Sequence, residues 1–193
     1  MARKIAAVIF AAAVITALAV YLRTLEPAAG ADSAVETVSA GYSALISEEA
    51  GFLGVVTVTD GSGTALYKWQ SSEGYVLAAD VSPSHNALAV LTAGTEAGFR
   101  LRVFSLGNET EQGSYNAPER GAFYDIKYLE NNRIALIGNS AVTITDGFAR
   151  EVAGITFNAG ALKGYAFNPG LTLTFSEKTV NYINGEFIDE PIA

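Results

Sequence analysis

The chain has 193 residues, no cysteine, one histidine and a formal net charge of −8. These counts exclude a disulfide framework, a thiol nucleophile, a zinc–thiolate site and a multi-histidine metal centre. Half of the residues are hydrophobic, enough for a real core. The few Lys and Arg form no cluster of the kind that neutralises phosphates, which argues against nucleic acid as a partner.

The chain opens with MARKIAAVIFAAAVITALAVYLRTLEP. Ile5 to Leu22 is an uncharged, apolar run of 18 residues, with Thr16 as its one mild polar exception. That length lies at the lower edge of the roughly 20 residues a spanning helix needs. Arg3 and Lys4 precede the run, Tyr21 sits where an interfacial aromatic would, and Arg23 closes it. The pattern predicts a cytoplasmic tip and transmembrane signal anchor over 1–23, with the rest of the chain outside the cytoplasm. A cleaved signal peptide is the competing reading, with small residues at 28–31 and cleavage after Ala31. Either reading exports the remainder, whose 9 basic residues face 20 acidic ones, a balance of −11. That surplus suits solubility more than it marks a site.

Residues 24–50 read as a linker, small and polar, with Pro27 and Gly30. Within it SAGYSALISEE fits a short helix or part of a strand. From Gly54 onward the texture is that of strands. GVVTVT, TALYKW, YVLAADV, ALAVL, FRLRVFS and FYDIKY are short, β-branched or aromatic, and bounded by turn residues.

An internal repeat organises 51–193. LAADVSPSHNALAVL (77–91) aligns with FYDIKYLENNRIALIG (123–138) at an offset of 45, and LKGYAFNPGLTLTF (162–175) follows after about 39 to 40 more. Each copy is a strand, a polar turn and a second apolar strand. Two further strands follow each copy: FRLRVFSLG and EQGSYN, then SAVTIT and REVAGIT, then KTVNYI and EFID. The last pair is joined by Asn184-Gly185, a dipeptide suited to a type I′ hairpin. Four antiparallel strands in about 40 to 45 residues is the period of a propeller blade. A β-sandwich or meander with accidental similarity is the plainer alternative.

The phrase VLAADVSPSHNALAVL resembles the strand–turn–strand core of WD40-like repeats, in which Ser-Pro-Asp-Gly commonly makes the turn. Here the turn is Ser-Pro-Ser-His-Asn, and no Trp-Asp dipeptide occurs. From end to end the chain also resembles an uncharacterised family of bacterial membrane-anchored proteins with a WD40-like β-propeller. The resemblance implies a propeller of more blades than are countable here, and it supplies no activity or site residues. GVVTVTDGSGTALYKWQ (54–70) reads as the last two strands of a blade, so the count is about three and a half, short of the four a ring needs. Truncation, completion of a fourth blade by 34–50, or association of two chains through an open sheet edge would each resolve this.

No arrangement of residues specifies catalysis. His85 lies in a predicted turn after Pro83, where a solvent-exposed histidine is expected rather than a base, and no serine sits in G-x-S-x-G. TDGSGT (59–64) lacks the acidic ligands of a calcium loop and the lysine of a phosphate loop, and reads as a hairpin turn. The pairs Glu48-Glu49 and Glu109/Glu111 read as solvated, with a glycosidase pair as the sharper alternative. NET (108–110) places Asn108 on a surface loop. Phe123, Tyr124, Tyr128, Tyr165, Phe167 and Phe175 recur at strand positions and read as packing between blades rather than as a sugar platform.

The expectation is an all-β chain of antiparallel four-stranded repeats, a partial or small β-propeller, preceded by one N-terminal transmembrane helix. Its expected role is a membrane-tethered, extracytoplasmic interaction or scaffold module. Its partners would be a protein or cell-wall component, with association of two copies through the open edge as a further option. An envelope-polymer hydrolase using surface carboxylates, or a fragment of a larger propeller, are the alternatives. No catalytic, cofactor-binding or metal-binding residue is assigned, and no cofactor is expected.

Overall fold

The computed structural model describes residues 41–94, 98–167 and 170–191. The predicted anchor and most of the predicted linker lie outside them. Among the described residues fifteen strands, β1 to β15, form four antiparallel sheets in chain order. The first holds β1 (Tyr42–Ser47), β2 (Val55–Asp60) and β3 (Ala65–Gln70). The second holds β4 (Tyr75–Val81), β5 (Ala87–Gly94), β6 (Gly98–Ser105) and β7 (Glu111–Ala117). The third holds β8 (Phe123–Tyr128), β9 (Ile134–Gly138), β10 (Ala141–Thr145) and β11 (Glu151–Thr156). The fourth holds β12 (Gly164–Ala166), β13 (Leu171–Thr174), β14 (Lys178–Ile183) and β15 (Glu186–Pro191). Each sheet is an up-and-down meander, the organisation of a propeller blade.

Burial within each blade explains the sequence texture. β5, β9 and β10 read as nearly continuous apolar runs because both of their faces are covered, and they are buried along most or all of their length. The outermost strands β7 and β11 alternate, with one face left to solvent.

Three inter-sheet cores hold the blades in order. Val56 and Val58 pack against Leu88, Val90 and Phe104 between the first two sheets. Leu101, Val103, Phe123 and Leu136 fill the space between the second and third. Ile137, Val142, Leu173 and Val180 do so between the third and fourth. Among the described residues no buried cluster joins the fourth sheet to the first. The faces of these two sheets turned away from those cores mix hydroxyl and amide groups with apolar side chains, Leu45 and Val55 on the first and Ile183 and Ile188 on the fourth. Thr172 and Thr174 lie beside Asn181 and Thr179 on the fourth sheet, and Ser43 hydrogen-bonds Thr59 on the first.

Residues 54–70 supply β2 and β3, the last two strands of the first sheet among the described residues, and β1 takes the inner place beside them. SAGYSALISEE forms a strand and not a short helix, inside the stretch read as linker. Tyr42 and Ala44 turn toward the second blade and pack on its core, which gives β1 its place.

The turn at 82–86 is built around Ser82. Its Oγ accepts the N–H groups of Asn86 (3.2 Å) and Ala87 (3.0 Å), and its own N–H donates to the Ala87 carbonyl (2.9 Å). His85 adopts φ +58°, at the place the glycine takes in Ser-Pro-Asp-Gly. It is half-buried rather than solvent-exposed, because its ring stacks on Tyr42 with centroids 4.6 Å apart. Ser82 is fully buried, so Ser82→Ala strands the Ala87 N–H and is expected to cost about 1–2 kcal/mol. Urea denaturation checks this, through a lower midpoint at unchanged slope.

The other predicted turns form as hairpins. Asp60 Oδ1 accepts from Ser62 N (2.8 Å), Ser62 Oγ (2.6 Å) and Thr64 N (2.9 Å). Asp146 does the same with Phe148 N (2.8 Å) and Arg150 N (2.9 Å) in the third blade. Asn184 and Gly185 both take positive φ, as a type I′ turn requires.

Candidate functional site

Inner strands carry a repeated carboxylate that ties the second blade to the third and the third to the fourth. Asp80 on β4, only 3% exposed, accepts from Lys127 Nζ at 3.1 Å and from the Tyr128 N–H at 2.7 Å, both on β8. Asp125 on β8 stands 45 residues later and accepts from the Tyr165 hydroxyl of β12 at 2.7 Å. Burial raises both carboxyls above their ordinary value, an effect opposed at Asp80 mainly by the Lys127 charge and at Asp125 mainly by the Tyr165 hydroxyl. Burial and the Asp125 bond also push the Tyr165 hydroxyl upward. These groups are paired with one another across the seams between blades, which gives them a structural role.

An open concavity with exposed apolar side chains lies where the first two blades begin. The loop between β1 and β2 folds over the end of β3: Leu53 N–H donates to Ser71 O (2.8 Å), and Val76 N–H donates to Leu53 O (3.3 Å). This brings Phe52 and Leu53 beside Tyr75, at the start of β4. Together with Glu48 and Glu49 they line a groove of about 450 Å³. Tyr75 is 53% exposed, and Phe52 and Leu53 are exposed too. An aromatic and aliphatic surface on loops, rimmed by carboxylates, is the form a recognition surface takes.

The acidic pairs of the sequence are separated by their partners. Glu49 pairs with Lys68 (2.7 Å) and accepts from Gln70 (3.2 Å), and these bonds hold its carboxyl below the usual range. Glu111 lies 3.8 Å from Arg100 and 4.0 Å from Arg102. Asn108 is exposed in the turn between β6 and β7, where its side chain accepts from Thr110 (2.8 Å). Of the recurrent aromatics, Phe123 and Tyr128 are core, Tyr165, Phe167 and Phe175 pack against the third inter-sheet core, and Tyr124 is exposed. Among the described residues no group of three or more His, Asp or Glu converges as a metal site.

Sequence reading missed the groove. Its one local signal is the clustering of Phe52, Leu53 and Tyr75 around turn residues, away from any alternating run.

No protein-family model matches the sequence, and no curated protein matches it. Solved structures do match in fold. One is KlHsv2 with loop 6CD replaced by a Gly-Ser linker, at 13% identity and a TM-score of 0.52, over 75% of this chain and 55% of that one. Another is Raptor of Chaetomium thermophilum, at 10% identity and a TM-score of 0.57, over 79% of this chain and 15% of that one. The chain thus spans about half the length of the first and a small part of the second. At these identities the likeness is one of fold, and with the four meander sheets it identifies a β-propeller-like repeat.

Proposed function

We propose that this chain is a membrane-tethered, extracytoplasmic interaction module that recognises a protein or cell-wall partner through its loops. The observation that carries the reading is the exposed apolar groove formed by Phe52, Leu53 and Tyr75. Propeller-like repeats hold loops rigidly and leave their chemistry to the loop sequences. The apolar run flanked by Arg3, Lys4 and Arg23 supports the tether and export, and the acidic balance of the remainder supports a soluble domain beyond it. The WD40-like phrasing of the turn repeats supports membership of the bacterial anchored-propeller family. The role proposed is binding, not catalysis.

The test is affinity capture from solubilised membranes with the full chain, with the double variant Phe52→Ser/Tyr75→Ser, and with an unrelated anchored control. The expected result is a partner enriched by the native chain and reduced about tenfold by the variant, as loss of a hot spot worth ~1.4 kcal/mol or more would do. Equal recovery from all three baits would sink the reading.

A further inference from the structure

The groove over Phe52, Leu53 and Tyr75 offers acceptors at its rim and few donors. The loop spends its own backbone groups inward. Phe52 N–H bonds Glu49 O (3.1 Å), Leu53 N–H bonds Ser71 O (2.8 Å), and the Leu53 carbonyl accepts from Val76 N–H (3.3 Å). The charged side chains lining the groove are Glu48 and Glu49. An ionised carboxylate only accepts. Glu49 is already held by Lys68 (2.7 Å) and Gln70 (3.2 Å). Glu48 is exposed and makes no ion pair among the described residues, so it is the carboxylate left to an occupant.

We propose that this groove takes a basic amphipathic segment of a partner protein, with an apolar side chain on Phe52 and Leu53 and an adjacent Lys or Arg reaching over Tyr75 to Glu48. The proposal rests on the groove being the recognition surface and names what it recognises. The lining sets three properties of the ligand. It brings apolar area, because Phe52, Leu53 and Tyr75 are exposed side by side. It brings donors, because the rim accepts, and Lys and Arg are donors without an acceptor. It is not anionic. Beyond Arg23, 9 basic residues face 20 acidic ones, so an acidic segment is repelled by the whole domain and again by Glu48.

A basic side chain also suits the shape of this surface. Its aliphatic stem lies on apolar area while its charged head stays at the wet rim. The face of Tyr75 attracts that head as well. A neutral glycan is the weaker occupant. Of the lining side chains only the Tyr75 hydroxyl can donate, and Ala50, Phe52 and Leu53 give sugar hydroxyls no side-chain partner.

Three labelled synthetic peptides test this on the full chain in nanodiscs of zwitterionic lipid. They share one apolar core of a leucine and a phenylalanine, flanked by lysine and arginine, by glutamine, or by glutamate. The basic peptide is expected to bind about tenfold or more tighter than the acidic one, with the neutral one between. Phe52→Ser/Tyr75→Ser should weaken the basic peptide about tenfold and Glu48→Gln about threefold. Glu186→Gln, at an exposed carboxylate of the fourth sheet, should leave it unchanged. Glu48→Lys should put the acidic peptide ahead. A neutral or acidic peptide that binds best to the native chain and is lost in the double variant overturns the basic class while keeping the groove as the recognition surface. Equal weakening by Glu48→Gln and Glu186→Gln would reveal diffuse attraction to an acidic domain. Binding unmoved by the double variant would place the occupant elsewhere. Either result overturns the proposal. Binding by none of the three peptides overturns it too, and leaves the groove itself to be judged by the capture experiment.

Discussion

Phe123→Ala is expected to destabilise the chain by about 3–5 kcal/mol, the cost of emptying a large, fully closed core site. Phe123 is 1% exposed and sits edge-on to Phe99, with centroids 6.1 Å apart and planes at 76°. Its neighbours include Leu101 and Leu136, from the sheets on either side. The void would thus open between two blades instead of inside one, where neither backbone can collapse to fill it. For a domain of this size each kcal/mol lowers the melting temperature by roughly 2–4 °C, so calorimetry should show a fall of about 6–20 °C. A fall within 2 °C would mean that the second and third blades are not packed as described.

Asp80→Ala is the second large effect, at about 2–3 kcal/mol. It leaves the Tyr128 N–H buried without an acceptor and Lys127 without its carboxylate. Lys127 is 25% exposed and can turn to water, which keeps the cost below that of a fully buried orphan charge. Asp80→Asn separates charge from shape. Burial raises the Asp80 carboxyl in the folded chain above 3.8, so the folded state holds its proton more tightly than the unfolded state does. The stability Asp80 contributes is therefore fully present below the unfolded value and falls as pH rises through the folded one. Asparagine does not titrate. The stability of the native chain relative to Asp80→Asn should decline as pH rises above about 4 and level off once the folded carboxyl is ionised. Denaturant melts at several pH values read this difference. An advantage that grows with pH would show that the Lys127 pairing outweighs desolvation.

The repeat was legible because a sheet covered on both sides must be written in apolar residues. ALAVL and RIALIG are the phrases of strands between two blades, and the turns between them need Pro, Asn or Gly. Asn184-Gly185 was legible for the same local reason. β1 was legible only as one of two options, a short helix or a strand. In YSALIS only Tyr42 and Ala44 reach the neighbouring core, while Leu45 and Ile46 remain exposed, so the alternation is too weak to decide between them. The partners of Asp80 and Asp125 lie 47 and 40 residues away, in the next blade, and no local pattern reports them. The same holds for the groove. It exists only because the loop between β1 and β2 bonds to the start of the next blade through Leu53. His85 was misjudged because its partner, Tyr42, lies 43 residues earlier, on the strand the sequence left undecided.

The described residues form four blades packed face to face in chain order. The end faces mix hydroxyl and amide groups with a few exposed apolar side chains, Leu45 on the first sheet and Ile183 and Ile188 on the fourth, a surface of ordinary character that gives a second series little to bind. The most direct measurement is the protein mass of the purified full chain by light scattering in detergent, with the detergent contribution subtracted. The account predicts one copy, 20.2 kDa, over a wide range of concentration. A stable mass of two copies would contradict it, because the terminal faces or the open edge would then be an interface between chains.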